Sequence, residues 1–555
     1  MEKVKRFFAK HIFLVVLALS LPAVWTLVVP GFFGVSDDTL IGWLYEMDRA
    51  VKMFQIPPRF VPDLSFGFGY PLFNFVYPLP FYIGEIFHLF GFSLVDAAKL
   101  VFGLSIPFSM YFMYKLLREL VDKPLSLAGA VLYVYAPYRA TEIFVRGAIG
   151  EIVAFVFIPL VALSFIRLTQ KDSGIKWIGI SALSIAALVL SHNILAYMFF
   201  PFALILLVVL IISAKQDKIT YLLRSFWAII LGLLASAYFW FPAIYESGLV
   251  KYSTVYNYFD HFATLKQLIT PYFGYGASVP GPYDGMSFYI GIIGLLTVVV
   301  GGALAIKSWK GFGVKEKTVL IWAIGIFVLS IFMMNHRSDI LWKSIPLLPY
   351  FQFPWRFLTM IVFSSPLFLI GFSKFKHARI VAGVIIVAAI ALNFLYFKPE
   401  KFLGRADEYY VDRYIPYPAA SAEYRRTSEE YLRLPKDNLV RPSMVYPRAY
   451  SNVRANLIIE EINPLDARIV TNYPEEFILS YNKYNFPGWV AKIDGVGTDI
   501  LSGVPYGQIS LKVPGGTHEV VVEYREAPLR KVTNFVSLGA ITTAMFLVIK
   551  RKNEK

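Results

Sequence analysis

Long apolar runs broken by short polar segments dominate the chain. The runs cover residues 12–30, 94–114, 126–138, 149–167, 177–193, 195–213, 225–242, 286–306, 318–334, 355–372, 380–397 and 533–549. A helix of about twenty apolar residues crosses the hydrocarbon of a bilayer, where only internal hydrogen bonds satisfy the backbone. The pattern predicts about twelve transmembrane helices. The 126–138 run is short, so it is expected to extend past Ala136-Pro137 or to lie among neighbouring helices. The first run follows Lys3, Lys5, Arg6 and Lys10. A cleaved signal would have a shorter apolar core and small residues at its end, and Val28-Val29-Pro30-Gly31 is a poor site, so this run is read as a retained span.

Residues 31–93 follow a different rule. Leu40, Leu44, Met47, Val51 and Phe54 recur at spacings of four and three, with Glu46, Asp48, Arg49 and Lys52 between them. That spacing predicts an amphipathic helix lying on the membrane surface and ended by Pro57-Pro58. A turn-rich aromatic stretch comes next, Gly67-Phe68-Gly69-Tyr70-Pro71-Leu72-Phe73. Residues 78–92 are apolar but short and contain Glu85 and His88, so they are read as embedded without crossing. On that reading the basic loops at 115–123, 167–176, 215–224, 307–317 and 374–379, and the tail Lys550-Arg551-Lys552, all fall on one side. Positive loops mark the cytosolic side. The expectation is a multi-pass protein of the cytoplasmic membrane with both termini cytosolic.

The other side then receives residues 245–285, with Tyr252, Tyr256, Tyr258, Asp260 and His261. It also receives 335–354 and a large polar insert, 398–532. The second half of the insert reads as strands at Ala467–Thr471, Glu476–Tyr481, Gly488–Ile493, Gly507–Val513 and His518–Tyr524, with hairpin signals at Asp494-Gly495 and Gly515-Gly516. A small antiparallel β-sandwich is expected. The division is therefore a membrane domain over 1–397 including the loop 31–93, an extracytoplasmic domain over 398–532, and a last span with a basic tail over 533–555.

Composition agrees with a bilayer as solvent. The chain is 57% hydrophobic and 16% charged, against about 25% charged in soluble domains. The net charge of +15 sits in clusters between apolar runs, as topology signals do, and no nucleic-acid motif accompanies it. No nucleic-acid partner is expected. Cysteine is absent, which excludes disulfides, zinc–thiolate sites and iron–sulfur clusters.

Chemistry-bearing residues gather at the expected outer rim. Asp37 and Asp38 follow the first span, where one carboxylate could take a proton from a hydroxyl; the alternative is a helix cap by Ser36 or Asp37. Arg139, Glu142 and Arg146 are spaced to share one helical face, and Glu151 follows. Two arginines there suit a phosphate, which guanidinium binds through paired hydrogen bonds, or an ion-pair network that fixes the loop. Arg356, in Phe353-Pro354-Trp355-Arg356, is a further phosphate candidate or a snorkelling interfacial residue. His192 and His261 are substrate-binding candidates; a hydrogen-bonded structural role is the alternative for His192, and a metal is the alternative for His261 beside Asp260, although one adjacent pair does not define a metal site.

These residues carry a resemblance. Ser36-Asp37-Asp38, Gly69-Tyr70-Pro71-Leu72-Phe73, Tyr77-Pro78-Leu79-Pro80, Ala136-Pro137-Tyr138-Arg139, Arg146-Gly147-Ala148, Phe353-Pro354-Trp355-Arg356-Phe357, Pro487-Gly488-Trp489 and Asp494-Gly495 resemble the YfhO-like prokaryotic membrane proteins, labelled as related to 6-pyruvoyl-tetrahydropterin synthase. No histidine set for pterin chemistry is present. The layout is also similar to the GT-C class of membrane glycosyltransferases. That resemblance implies a polytopic α-helical GT-C-like fold and transfer of a sugar from a polyprenyl-phosphate-linked donor to an extracytoplasmic glycan or glycolipid acceptor, with inversion. It places the acidic residue at Asp37 or Asp38, the phosphate at Arg139, Arg146 or Arg356, and Tyr70 among the binding residues. A divalent cation, Mg or Mn, would be held by Glu142 or Asp38, although the chain lacks the paired aspartates that some GT-C members use. The rival readings are a lipid or polysaccharide flippase, against which the ion-free cores of 286–306, 318–334 and 380–397 count, and a non-catalytic scaffold, for which so many spans are excessive.

Overall fold

The computed structural model describes residues 11–171, 173–215, 217–251, 257–426 and 434–550. Lys3, Lys5, Arg6, Lys10, Tyr252, Tyr256, Arg551 and Lys552 lie outside the described residues.

Each apolar run coincides with an apolar helix. Among the described residues eight are long and apolar enough to cross a membrane: Leu94–Leu117, Ile149–Leu168, Asn193–Ser213, Lys218–Ala235, Val314–Met334, Pro354–Lys374, Ala378–Tyr396 and Pro528–Ile549. Four are shorter: Ile12–Val28, Lys123–Val134, Lys176–Ser191 and Ile292–Lys307. The two central helices are Ile149–Leu168 and Pro354–Lys374, whose apolar stretches are each 89% buried by protein. The peripheral helices Lys218–Ala235, Ala378–Tyr396 and Pro528–Ile549 bury only 28%, 28% and 22%. Their outer faces carry Leu222, Phe226, Trp227, Val384, Val387 and Phe535 in the open. A surface so apolar is stable against lipid and not against water. Small residues set the closest approaches: a Cβ on Gly371 would stand 1.9 Å from the Gly301 carbonyl oxygen.

The helix expected at 40–54 runs Thr39–Lys52 and is not a surface helix. Glu46 and Asp48 are buried because the helix Leu79–Leu89 packs on one side and the insert on the other. Its polar face meets protein partners: Arg49 Nε donates to Asp63 at 2.9 Å and Lys52 Nζ to Asp48 at 2.8 Å. It stops before the proline pair, where Phe54 takes φ 57°. The segment Leu79–Leu89 has 11 residues, about half the length a crossing needs.

The insert carries two antiparallel sheets. Strands β1 (Phe32–Phe33) and β2 (Phe402–Arg405) first pair the loop after the opening helix with the start of the insert. The remaining strands are β3 (Ala449–Ser451), β4 (Asn456–Asn463), β5 (Asp466–Tyr473), β6 (Phe477–Tyr484), β7 (Trp489–Ile493), β8 (Val496–Thr498), β9 (Leu501–Gly503), β10 (Gln508–Val513) and β11 (Gly516–Tyr524). They form sheets of order β3-β6-β10-β9 and β4-β5-β11-β7-β8. All five expected strands are present. Asp494-Gly495 makes the expected hairpin, with φ 50° and 81°, the left-handed pair that a two-residue turn requires. Gly515-Gly516 does not: it joins β10 to β11, which belong to different sheets. The sheets meet through inward side chains, Trp489 against Tyr481 at 6.1 Å between ring centroids.

The aromatic stretch near Tyr70 is the footing of these sheets. Lys483 Nζ, fully buried, donates to the carbonyls of Pro62 at 3.0 Å and Gly67 at 2.8 Å. The Tyr484 amide donates to Phe68 O at 2.9 Å, and Tyr70 forms an antiparallel bridge with Val61.

Candidate active site

The chain that carries Asp37 lies against the turn that carries Arg146. Amides of Ser36 and Asp37 donate to the carbonyls of Val145 at 3.0 Å and Arg146 at 2.8 Å. Approach this close requires Gly147: it has φ 70°, and a Cβ there would stand 2.6 Å from the Val35 side chain. Residues Glu142–Arg146 form a wide helical turn in which the Gly147 amide reaches the Glu142 carbonyl five residues back. Turns of that kind re-aim side chains, and they recur at functional sites. Neither Ser36 nor Asp37 caps the following helix: its first flanking residue is Asp38, and no side chain caps it.

The two acidic neighbours face different ways. Asp37 is exposed and lines a cavity of about 900 Å³. Asp38 is buried, accepts a hydrogen bond from Tyr414 Oη and lies 3.9 Å from Arg413 Nε. Desolvation by the surrounding protein raises both carboxyls above their ordinary value; Arg146 opposes this at Asp37, and the Tyr414 hydrogen bond opposes it at Asp38.

Behind the cavity wall lies an ion-pair network. Arg146 Nη1 donates to Glu142 Oε1 at 2.7 Å and lies 2.9 Å from Glu151 Oε1. Arg356 Nε donates to the same Glu151 oxygen at 3.0 Å, and its Nη1 to Phe351 O at 2.9 Å. Trp355 is shared, with the Arg146 and Arg356 guanidinium carbons 4.7 and 5.9 Å from its ring. His192 accepts from the Leu195 amide at Nδ1, 3.1 Å, so its proton sits on Nε2, 3.9 Å from Glu151.

Asp37, Arg146, Arg356 and His192 line the cavity together. Glu142 and Glu151 are buried behind the arginines. Three expectations are corrected. Arg139 does not reach the cavity: it is fully buried, donates to Ser109 at 3.2 Å and lies 4.0 Å from the Phe155 ring, facing helices rather than the rim. Tyr70 is packed under the sheets. His261 pairs with Ser278 at 2.8 Å and stands behind Phe353, 5.0 Å between rings. Sequence reasoning missed Tyr77, whose ring packs on His192 at 4.8 Å, and Gln352, whose Oε1 accepts from Arg356. Tyr77 opens the quoted Tyr77-Pro78-Leu79-Pro80 motif and Gln352 directly precedes Phe353-Pro354-Trp355-Arg356, which is the signal that could have found them.

The cavity changes character along its length. Beyond the charged end its wall is Val189, Phe200, Leu233, Trp240 and Ile244, and Ile244 is 67% exposed on the outside of the helices. A second cavity, about 640 Å³, lies on the sheets beside Trp489 and Asp499 and contains none of the expected site residues. The residues present do not fit a divalent cation. Both oxygens of Glu142 are bound to Arg146 and Asp38 is bound to Tyr414. No group of three His, Asp or Glu converges among the described residues.

A family model described as 6-pyruvoyl-tetrahydropterin synthase related domain, membrane protein, matches residues 73–398. That is more than half of the chain. The chain belongs to this family. The family match contains Arg146, Glu151, His192 and Arg356, whereas Asp37 precedes it and most of the sheets follow it. An uncharacterized protein of Lactococcus lactis subsp. cremoris (strain MG1363) is 24% identical over 234 residues, 40% of this chain and 38% of that protein. Among solved structures, the chain is similar to the arabinofuranosyltransferase AftD from Mycobacteria, at 15% identity, 70% of this chain, 27% of that chain and TM-score 0.41. It is also similar to the archaeal oligosaccharyltransferase AglB from Archaeoglobus fulgidus, solved with an inhibitory peptide and a dolichol-phosphate, at 16% identity, 70% of this chain, 56% of that chain and TM-score 0.39. The chain thus spans well under two thirds of each of these proteins.

Proposed function

We propose that this membrane protein is a glycosyltransferase that moves a sugar from a polyprenyl-phosphate-linked donor to an extracytoplasmic hydroxyl. The observation that carries the reading is the convergence of Asp37, Arg146 and Arg356 on one cavity whose far wall is apolar. A lipid phosphate has the same two-part chemistry. Arg356 keeps Nη2, and Arg146 keeps Nε and Nη2, without a hydrogen bond among the described residues. Those edges suit phosphate oxygens. Glu151 stands behind both guanidinium groups, holding them without consuming their outward faces.

In the proposed step the acceptor oxygen attacks the anomeric carbon from the side opposite the phosphate. The new C–O bond forms as the bond to the phosphate oxygen breaks, and that oxygen leaves with the electron pair toward Arg146 and Arg356. The acceptor proton passes to Asp37, with inversion at carbon. A carboxyl whose proton affinity is raised above its ordinary value is a better base for this purpose. Asp38, held by Tyr414, is not the base. The site opens on the side opposite the basic loops, and the two sheets hold the acceptor beside it.

The test is mass spectrometry of glycolipids and glycoproteins from host cells lacking the gene, complemented with wild type, Asp37→Asn or Asp38→Asn. Wild type restores a glycan that Asp37→Asn, expressed and folded, does not. A glycan restored in full by Asp37→Asn would defeat the assignment, and identical glycan profiles with and without the gene would defeat the function.

A further inference from the structure

Adjacent side chains point apart, so some feature must decide which of Asp37 and Asp38 enters the cavity. The helix that follows has no side-chain cap, and on the Asp37 side the local hold is one hydrogen bond from Ser36 Oγ at 3.3 Å beside the backbone pairing with residues 145–146. The deciding contacts come from the insert, more than 360 residues away in sequence. Strand β2 pairs with β1 just before the acidic pair, and a Cβ on Gly31 would stand 2.4 Å from the backbone of Gly404. After β2 comes the helix Asp407–Tyr414. Its first residue receives the amides of Leu94 at 2.8 Å and Val95 at 2.9 Å, fastening it to the start of a long apolar helix. Its last residue, Tyr414, donates to Asp38, and Arg413 Nε donates to the Tyr414 hydroxyl at 3.0 Å. Between them Tyr410 packs edge-on against Phe32, 5.7 Å between rings. On the other side Gly42 allows the approach: a Cβ there would lie 2.9 Å from Tyr414 Cβ.

We infer that residues 402–414 are a positioning strap, in which Tyr414 and Arg413 draw Asp38 out of the cavity and so present Asp37 to it. The inference rests on the proposed role of Asp37. Tyr414 touches no cavity atom and acts through Asp38, so it is a positioning residue. The groups facing Asp37 are Ser36, Tyr77, Arg146, Glu151 and Arg356; those facing Asp38 are Arg405, Tyr410, Arg413 and Tyr414, besides Asp37 itself. Only the second set belongs to the strap.

Dicyclohexylcarbodiimide reads the arrangement without any substrate. The apolar reagent enters along the cavity's apolar wall, its N=C=N carbon takes up a protonated carboxyl, the acid proton passes to the reagent's nitrogen, and the acyl group then migrates to give a stable N-acylurea. Applied to the full-length protein in nanodiscs, followed by peptide fragmentation, it assigns the adduct to Asp37 or Asp38. In the wild type the adduct is expected on Asp37. In Tyr414→Phe the share on Asp38 rises several-fold and the pH profile of Asp37 labelling moves. Gly42→Ala, which crowds Tyr414 while leaving its hydroxyl in place, shifts the share in the same direction. An Asp38 share unchanged in both variants, equal labelling of the two residues in the wild type, or no adduct on Asp37 would overturn the strap. The outcomes stay separable from the proposed function: a shifted share alongside full glycan restoration by Asp37→Asn would keep the strap and remove the catalytic role.

Discussion

Arg356 and Glu151 stand 205 positions apart in the chain and meet at 3.0 Å, on the same carboxylate oxygen that receives Arg146 at 2.9 Å. One buried anion therefore serves two buried cations. Removing it leaves Arg356 without a carboxylate and Arg146 with Glu142 alone, and breaking a buried pair in this way costs on the order of 3–5 kcal/mol. Glu151→Ala should lower the thermal unfolding midpoint of the detergent-purified protein by many degrees. Glu151→Gln keeps an oxygen acceptor and should lose less. A Glu151→Ala midpoint equal to that of wild type would mean that the network holds nothing together.

A second buried pair fastens the last helix. Arg530 donates to Glu246 through Nε at 3.0 Å and Nη2 at 2.8 Å, while Asn74 donates to the same carboxylate at 2.6 Å. Arg530 and Glu246 are both buried, so each single truncation strands a charge. Arg530→Met and Glu246→Gln should each destabilise by roughly 3 kcal/mol, whereas the double variant should recover at least about 1 kcal/mol of their sum. Strict additivity in the unfolding free energies would show that the two do not interact.

Glu85 gives a pH dependence whose sign can be worked out. Burial pushes its carboxyl up to about 7, with Asp48 adding to the rise and Lys52 opposing it, and neither oxygen has a hydrogen-bond partner among the described residues. The folded protein holds this proton more tightly than the unfolded chain. The resulting stability is present in full below about pH 4.5 and is lost as pH rises through about 7. The loss is at most about 3.5 kcal/mol, at about 1.4 kcal/mol for each pH unit of displacement, and solvent screening lowers it. Thermal unfolding at pH 5 and pH 8 should therefore separate wild type from Glu85→Gln, which stays neutral throughout and should show the smaller drop. Parallel profiles would place the proton elsewhere.

Hydrophobic periodicity made the apolar helices and five of the strands legible, because bilayer-length runs and alternating sheet faces are local patterns. Strand β4 escaped because both of its faces are partly exposed at a sheet edge, so it does not alternate cleanly. The helix Thr39–Lys52 was read with the correct period and the wrong environment: periodicity shows that a face is polar, not whether water or the Asp63 carboxylate meets it. The site followed the same rule. Asp37, Arg146 and Arg356 could be named from residue type and position at span ends. Arg139 looked equivalent to Arg146 from the sequence, yet the wide turn at 142–146 sends the two in different directions. No local signal marks Tyr414, because its importance exists only after the insert folds back on the first loop.

The apolar end of the cavity makes the last prediction. If a lipid tail leaves between the helices there, the tail and the phosphate should be separable by mutation. Ile244 lines that end and is largely exposed, far from the guanidinium groups in character. Ile244→Glu places a carboxylate against hydrocarbon, which costs about 2.5–3.5 kcal/mol at a helix centre and less toward the membrane rim. The variant in nanodiscs should bind a long-chain polyprenyl phosphate at least tenfold more weakly, since about 1.4 kcal/mol is a factor of ten. Its affinity for a short water-soluble alkyl phosphate should be unchanged, because that ligand ends before the altered wall. Arg356→Gln should weaken both ligands alike, since both present the same phosphate. Equal losses for the two ligands in Ile244→Glu, or none for either, would exclude this wall as the path of the tail.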